Sequence, residues 1–306
     1  MKNFDMKKEK ILVTGGCGFI GSNLVDKLIE LGHEVWIIDD MSSDSASIKN
    51  RNSDAFYVNE SVENICHIND FVGFKFDKIF HLAAKARIQP SFKNPREYFN
   101  SNAIGTFEIL EFARITGSEK LIYATTSSKN SSMSSTGSPY TYTKVIGEGL
   151  LKLYSTCYNL KCVSATFYNV YGPREPQEGE WATVVAKFLR QYRNNEPLTV
   201  IGDGNQTREF THVFDIVNGL IAISDMPTYN EHFKGGNLDL SSGVPIKILD
   251  IAKTICQDKG SIRFVSNSGR KNEAANCCSN YKATENSIGW LAKYKLMDYL
   301  KIERTC

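Results

Sequence analysis

The sequence has no excess of either charge: 36 Lys and Arg stand against 34 Asp and Glu, a formal net charge of +2 over 306 residues. A balance that close supplies no global field for a nucleic acid or an anionic membrane, so neither partner is expected and any basic site must be local. The chain also lacks a run of the ~18 to 20 apolar residues that a membrane span requires; even residues 213–224 are broken by Asp215 and Asn218. Its basic opening, residues 1–10, leads into an apolar stretch that breaks at Gly15 and Gly16 with no cleavage-like tail, so no secretory leader is read. None of the eight cysteines (17, 66, 157, 162, 256, 277, 278 and 306) belongs to a CxxC pair. Neither a zinc site nor a disulfide framework is therefore expected, and free thiols in a reducing, cytoplasmic setting are. Cys66 and His67 are adjacent ligand types without a second pair, and no metal is read there. There is no internal repeat.

What is present is ordinary globular composition, with 42% hydrophobic and 23% charged residues, in a length that allows one large domain or two small ones. Short β-branched runs predict strands over 10–14, 34–38, 56–58, 78–82, 120–124 and 162–167. Helical spacing of apolar residues predicts helices over 19–31, 95–115 and 139–158. Strands this apolar, alternating with helices, imply a parallel sheet covered on both faces. After Asn169 the texture changes: Gly172-Pro173, Pro176, Gly179, Pro197, Gly202 and Gly204 punctuate shorter elements and predict a smaller, irregular second domain. A helical pattern over 211–224 and a strand over 236–240 suggest that the chain returns to the first domain before ending in the second. The serine-rich run 125–138 reads as a flexible polar loop.

Two motifs carry chemistry. Gly15, Gly18 and Gly21 fall in a GxxGxxG spacing where the first strand turns into a helix, the arrangement in which a backbone approaches a pyrophosphate at a helix N-terminus. The second strand ends at Asp39, 18 residues beyond Gly21, close to the ~20 at which an acid meets the adenosine ribose; an acid there repels a 2′-phosphate and favours NAD over NADP. Tyr140 and Lys144 form a YxxxK pair on one face of a helix, and an ammonium near a phenol is expected to lower its pKa.

In these motifs, and in His81-Leu82-Ala83-Ala84, Asn102-Ala103-Ile104-Gly105-Thr106, Asn169-Val170-Tyr171-Gly172-Pro173-Arg174 and the segment from Gly202-Asp203-Gly204 to Arg208-Glu209-Phe210, the chain resembles an extended short-chain dehydrogenase/reductase of the NAD-dependent nucleotide-sugar epimerase/dehydratase group. The resemblance implies a Rossmann-type doubly wound sheet with a smaller C-terminal α/β substrate domain. The NAD-binding domain is expected over 1–169 with about 211–240, and the nucleotide-sugar domain over 170–210 and 241–306. It implies Thr126, Tyr140 and Lys144 as the catalytic set. Gly15, Gly18, Phe19, Ile20, Gly21, Asp39, Leu82, Ala83, Ala84 and Asn102, with Tyr140 and Lys144, would hold the cofactor, Asn102 by supporting the lysine. Lys85, Thr126, Asn169, Arg208, Arg270, Glu273 and Cys277 would meet the substrate, the two arginines on its diphosphate. A homodimer is also implied.

The chain departs from the family pattern at Lys129-Asn130-Ser131, where Val-Tyr-Gly is usual, and at Ser61-Val62, where an acid often contacts adenine. After Thr126 it also has Ser127 and Ser128, where a 4,6-dehydratase carries an Asp-Glu pair and a decarboxylase a Glu at the second position. With neither acid present, the expected reaction is 4-epimerisation of a UDP-sugar through a transient 4-keto intermediate, with NAD retained between turnovers. UDP-glucuronate 4-epimerisation, another 4-keto-forming dehydratase or decarboxylase, and a catalytically silent NAD-binding regulator are the alternatives. Cys277 aligns where relatives border the sugar C2 substituent, and its small thiol leaves room for an N-acetyl group.

Overall fold

A computed structural model of the chain describes residues 8–43, 46–71, 73–130, 135–257, 260–266 and 278–304. Its first part alternates strand and helix: β1 (Lys10–Thr14), α1 (Phe19–Glu30), β2 (Glu34–Ile38), β3 (Phe56–Val58), β4 (Lys78–His81), α2 (Ile88–Lys93), α3 (Pro95–Tyr98), α4 (Gly105–Thr116), β5 (Lys120–Thr126), α5 (Pro139–Tyr158) and β6 (Cys162–Phe167). Shorter elements follow: β7 (Val170–Tyr171), α6 (Val184–Arg193), β8 (Leu198–Ile201), β9 (Thr207–Glu209), β10 (Thr211–His212), α7 (Val213–Asp225), β11 (Lys234–Leu240), β12 (Pro245–Lys247), α8 (Ile248–Cys256), β13 (Ile262–Val265), α9 (Tyr281–Ile288) and α10 (Leu296–Glu303).

Seven strands form one sheet in the order β11-β6-β5-β4-β1-β2-β3, and every neighbouring pair in it is parallel. This is the doubly wound Rossmann-type sheet. Alternation along β1 sends Ile11 and Val13 to a core shared with α1 and α7, and Leu12 to a core shared with α4 and α5. Each fully buried Ile, Leu or Val contributes on the order of 1.5–3 kcal/mol, which is why these strands read as unbroken apolar runs. The sheet order reverses between β1 and β4, so the turns leaving those two strands diverge and open a crevice at the C-terminal edge. A third core gathers Phe188 and Leu189 of α6, Leu198 and Val200 of β8, Ile251 and Ile255 of α8, and Leu296 and Leu300 of α10. It faces the crevice from the other side. No helix among the described residues is long and apolar enough to cross a membrane.

Several expected elements differ in detail. The helix expected over 95–115 is interrupted between α3 and α4 by a π-helical turn, Phe99–Ile104, which buries Asn102 and turns its amide toward the loop after β4. The helix expected from 211 starts at Val213, because Thr211 and His212 pair with Val170 and Tyr171 and His212 then caps α7, its Nδ1 accepting from the Phe214 amide. The flexible loop expected over 125–138 is ordered at both described ends. Thr125 and Thr126 belong to β5, residues 127–130 make one 3-10 turn, and the Ser138 hydroxyl caps α5 by accepting from the Thr141 amide at 3.1 Å, with Pro139 in the first helical position.

Candidate active site

The crevice is a cleft of about 1010 Å³ running from the turn after β1, past the ends of β4 and β5, to the face of the third core. At one end the chain leaves β1 through Gly15, whose φ of +72° is left-handed and whose Cβ, were there one, would lie 2.9 Å from the Ala83 backbone. Gly21 packs the first turn of α1 against this bend even more closely; a Cβ there would sit 2.1 Å from the Gly15 carbonyl oxygen. Gly18 is the cap residue of α1 and has no side chain to offer, so the amides at the helix start are left to a ligand. Asp39 closes this end. Its Oδ2 accepts from the Cys17 amide and its Oδ1 from the Met41 amide, at 2.8 and 2.9 Å, and these bonds oppose the upward pull of burial on its pKa. Phe19, Ile20, Leu82, Ala83 and Ala84 complete the lining. The Thr14 hydroxyl accepts from the Leu82 and Ala83 amides at 3.1 and 3.0 Å, which fixes that segment to β1.

At the centre stand Thr126, Tyr140 and Lys144, all on the cleft wall. Thr126 heads a relay of hydroxyls, from its Oγ1 to Ser128 (3.1 Å), on to Thr141 (2.9 Å) and to Ser138 (2.9 Å). Burial raises the Tyr140 phenol, while the Thr126 hydroxyl and the Arg87 guanidinium pull it back down. Lys144 is only 4% exposed, and burial pushes its pKa down to about 7 against the pull of Glu148. Its ammonium lies 4.2 Å from the centre of the Tyr123 ring. Besides the expected Lys144, the Arg87 guanidinium is thus a cation that favours the phenolate.

The far wall carries Asn169, whose amide donates to the Glu209 carbonyl at 2.9 Å, and Arg208, whose NH1 donates to the Thr207 carbonyl at 2.8 Å. Thr199, Ile201, Gln206 and Ile248 continue the wall.

A family model for the NAD dependent epimerase/dehydratase family matches residues 11–236. The UDP-glucose 4-epimerase of Mycolicibacterium smegmatis is 36% identical over 69% of this chain and 72% of its own. The chain belongs to the NAD dependent epimerase/dehydratase family. Two solved members superpose across nearly all of it, each 25% identical. One is the UDP-N-acetylglucosamine 4-epimerase of Methanobrevibacter ruminantium in complex with UDP-N-acetylmuramic acid (TM-score 0.86, 98% of each chain). The other is the UDP-glucuronic acid 4-epimerase of Bacillus cereus in complex with UDP-glucuronic acid and NAD (TM-score 0.84, 97% of this chain and 98% of that one). The family's cofactor is NAD, and the donor set suits it: an uncapped helix start for the pyrophosphate, glycines that let backbone approach, and the Asp39 carboxylate on the cleft wall just after β2.

Two further expected residues are tied into this end of the fold by hydrogen bonds. Asn102 is fully buried and stands behind the cleft wall: its Oδ1 accepts from the Lys85 amide at 2.8 Å, and its Nδ2 donates to the Lys85 carbonyl at 2.9 Å and to the Thr143 hydroxyl at 3.1 Å. It ties the loop after β4 to α5, one residue from Lys144. Lys85 lines the cleft, and its ammonium donates to the Ser42 carbonyl and hydroxyl, at 3.2 and 3.0 Å. Arg270, Glu273 and Cys277 lie outside the described residues.

Among the described residues of the two departures from the family pattern, Lys129, Asn130 and Ser61 find partners, and Ser131 lies outside the described residues. Lys129 pairs with Glu148, which also accepts from the Thr125 hydroxyl, and Asn130 donates to the Tyr168 hydroxyl at 2.9 Å. Glu148 follows Lys144 by one helical turn, a spacing visible in the sequence. Ser61 caps the turn that follows it, and Glu60 and Ser61 both line the cleft. Arg87 and Trp181 also meet on the cleft wall. No sequence spacing links them.

Behind the site, His81 is fully buried, its Nδ1 bonded to the Thr14 hydroxyl at 2.8 Å and its Nε2 to that of Thr106 at 2.9 Å. Burial and the Lys144 charge push its pKa down to about 3. Its ordinary value is about 6.5, so between those two values the unfolded chain binds the proton that the folded one refuses. The stability that neutral His81 provides is thus complete above pH 6.5 and is lost as the pH falls toward 3. Urea unfolding followed from pH 7 to pH 4.5 is expected to show that loss. His81→Gln, which keeps a donor and an acceptor, should flatten the slope; an unchanged slope would show that the acid sensitivity lies elsewhere.

Proposed function

We propose that the chain is an NAD-dependent nucleotide-sugar 4-epimerase acting on UDP-hexoses or UDP-N-acetylhexosamines through a transient 4-keto sugar. The observation that carries this reading is the turn after β5, where Ser127 and Ser128 stand on the cleft wall next to Thr126. A 4,6-dehydratase or a decarboxylase calls for a carboxyl group at that turn. Hydroxyls orient and relay, and they supply no acid strong enough to expel a C6 hydroxyl.

In this reading the Thr126 hydroxyl donates to the sugar O4 while Tyr140 takes the O4 proton and later returns it, with Arg87 favouring the phenolate. NAD bound in this cleft would supply the acceptor and then the donor of the C4 hydride, the return being to the opposite face of the ring. Gly15, Gly18, Phe19, Ile20, Gly21, Asp39 and residues 82–84 hold the dinucleotide, and Lys144 meets its nicotinamide ribose. Asn169, Arg208 and, from the sequence, Arg270 hold the diphosphate, for which a guanidinium offers a matched fork of donors. Residues 1–169 with 211–240 form the cofactor half in this assignment, and 170–210 with 241–306 the substrate half. The homodimer is assigned to the outer face of α4 and α5, where Phe107, Tyr142 and Leu153 are exposed, and the sedimentation mass of the intact protein tests it.

A second reading, 4-epimerisation of UDP-glucuronate, is favoured by Arg87, which brings a cation to the sugar end beside Tyr140. Purified protein incubated with UDP-glucose, UDP-N-acetylglucosamine and UDP-glucuronate and separated by chromatography distinguishes them. Interconversion of a plain or N-acetylated pair is the expected result. Turnover of UDP-glucuronate alone would replace the first reading by the second, and a 6-deoxy-4-keto or pentose product would overturn both.

A further inference from the structure

Arg87 has the backbone conformation φ +79°, ψ 136°, a region that residues with a Cβ rarely occupy, at the point where the loop after β4 enters α2. Two buried clamps hold the preceding residues. Asn102 bonds both the amide and the carbonyl of Lys85, and the Tyr98 hydroxyl donates to the Ala86 carbonyl at 2.6 Å. The backbone is thereby committed before Arg87 is reached, and the next residue is turned toward the opposite wall of the cleft. Its guanidinium crosses to the Trp181 carbonyl, with Nε and NH2 donating at 3.1 and 2.9 Å. Six residues on, Lys93 makes a parallel crossing as an ion pair with Glu180.

The segment they reach, residues 176–183, lines the cleft throughout. Its base is anchored on its own side. The Thr183 amide donates to the Pro176 carbonyl, and the Thr183 hydroxyl accepts from the Ala186 amide and donates to Glu175. Its tip meets the cofactor half through Arg87 and Lys93. Strain kept at a cleft wall, with the strained side chain spent on a cross-cleft bond, is the pattern of a positioning device.

We propose that Arg87 is a positioning residue that straps segment 176–183 across the sugar end of the cleft and so retains the 4-keto sugar until it is reduced. The proposal rests on the 4-epimerase reading. Oxidation takes a hydride from C4 and a proton from O4, so the ketone has lost its O4–H donor, and the turn that presents its other face breaks what remains of its bonds to Thr126 and Tyr140. During that turn the ring is held by its nucleotide and by the walls. A ketone that escapes leaves its two electrons on the nicotinamide, and that active site cannot turn over again. Arg87 lines the same cleft as Thr126, Tyr140 and Trp181.

The test compares wild type with Arg87→Gly, which removes the strap and relieves the backbone at once, and with Arg87→Lys, which keeps a donor. Three quantities are measured on purified full-length protein: melting temperature, amide hydrogen exchange over 176–183, and, with the UDP-sugar that wild type epimerises, 4-keto sugar released to solution per epimer formed, read by carbonyl trapping. The expected result for Arg87→Gly is an unchanged or higher melting temperature, at least tenfold faster exchange confined to 176–183, and at least a tenfold higher ketone-to-epimer ratio, with partial recovery in Arg87→Lys. A lower melting temperature with an unchanged ratio would reduce Arg87 to a structural residue. Loss of UDP-glucuronate turnover alone, without ketone release, would make it a reader of the carboxylate instead. If wild type turns over no sugar, the epimerase reading fails and the strap is judged by exchange, where an unchanged 176–183 overturns it.

Discussion

Replacing Tyr140 by Phe is expected to lower turnover by roughly 10² to 10⁴, the range for losing a positioned acid/base group, while leaving the fold intact. The ring remains in place, since it packs edge-on against Tyr98 with centroids 6.3 Å apart. What is lost is the one oxygen that the Thr126 hydroxyl and the Arg87 guanidinium bias toward the phenolate. Steady-state rates with a circular-dichroism control provide the check, and a correctly folded variant that epimerises at the wild-type rate would remove Tyr140 from the mechanism.

A comparable loss, at the other end of the cleft, is expected of Gly21→Ala. The added methyl would stand 2.1 Å from the Gly15 carbonyl oxygen, 2.9 Å from its carbon and 3.0 Å from the Gly16 Cα, all backbone that no rotamer change moves aside. Helix α1 must then back away from the turn and carry its uncapped amides with it. Wild-type protein is expected to purify with NAD bound, because an enzyme that returns its own hydride gains nothing by releasing it. Denaturing equal amounts of both proteins and assaying the released dinucleotide should show at least a tenfold deficit in the variant. Equal amounts would mean that the pyrophosphate is not held at this helix start.

Which parts of this site were legible in the sequence follows from how far apart their causes lie. The strands at 10–14, 34–38, 56–58 and 162–167 and the helix at 139–158 stand where apolar period and capping residues put them, because those causes lie inside each segment. Gly15, Gly18 and Gly21 were legible for the same reason: the turn they make is local. Asn102 was not. Its amide matters because a π-helical turn brings it to Lys85, 17 residues back, and to Thr143, 41 residues on. The charge state of Lys144 depends on burial against β5 and the Tyr123 ring, which no spacing encodes. Arg87 meets a backbone carbonyl 94 residues away. Across the second half, strands of two to four residues such as β7 and β10 are too short to show a period, so that region read only as glycine and proline punctuation.

The most direct measurement of the central claim uses a UDP-sugar carrying deuterium at C4, incubated with the purified protein without added dinucleotide. The proposed mechanism predicts a 4-epimer that keeps the deuterium at C4, in either direction of approach to equilibrium, with no net cofactor consumed. An epimer that has lost the label to solvent, or a product that has lost its C6 oxygen or carboxylate, would contradict it.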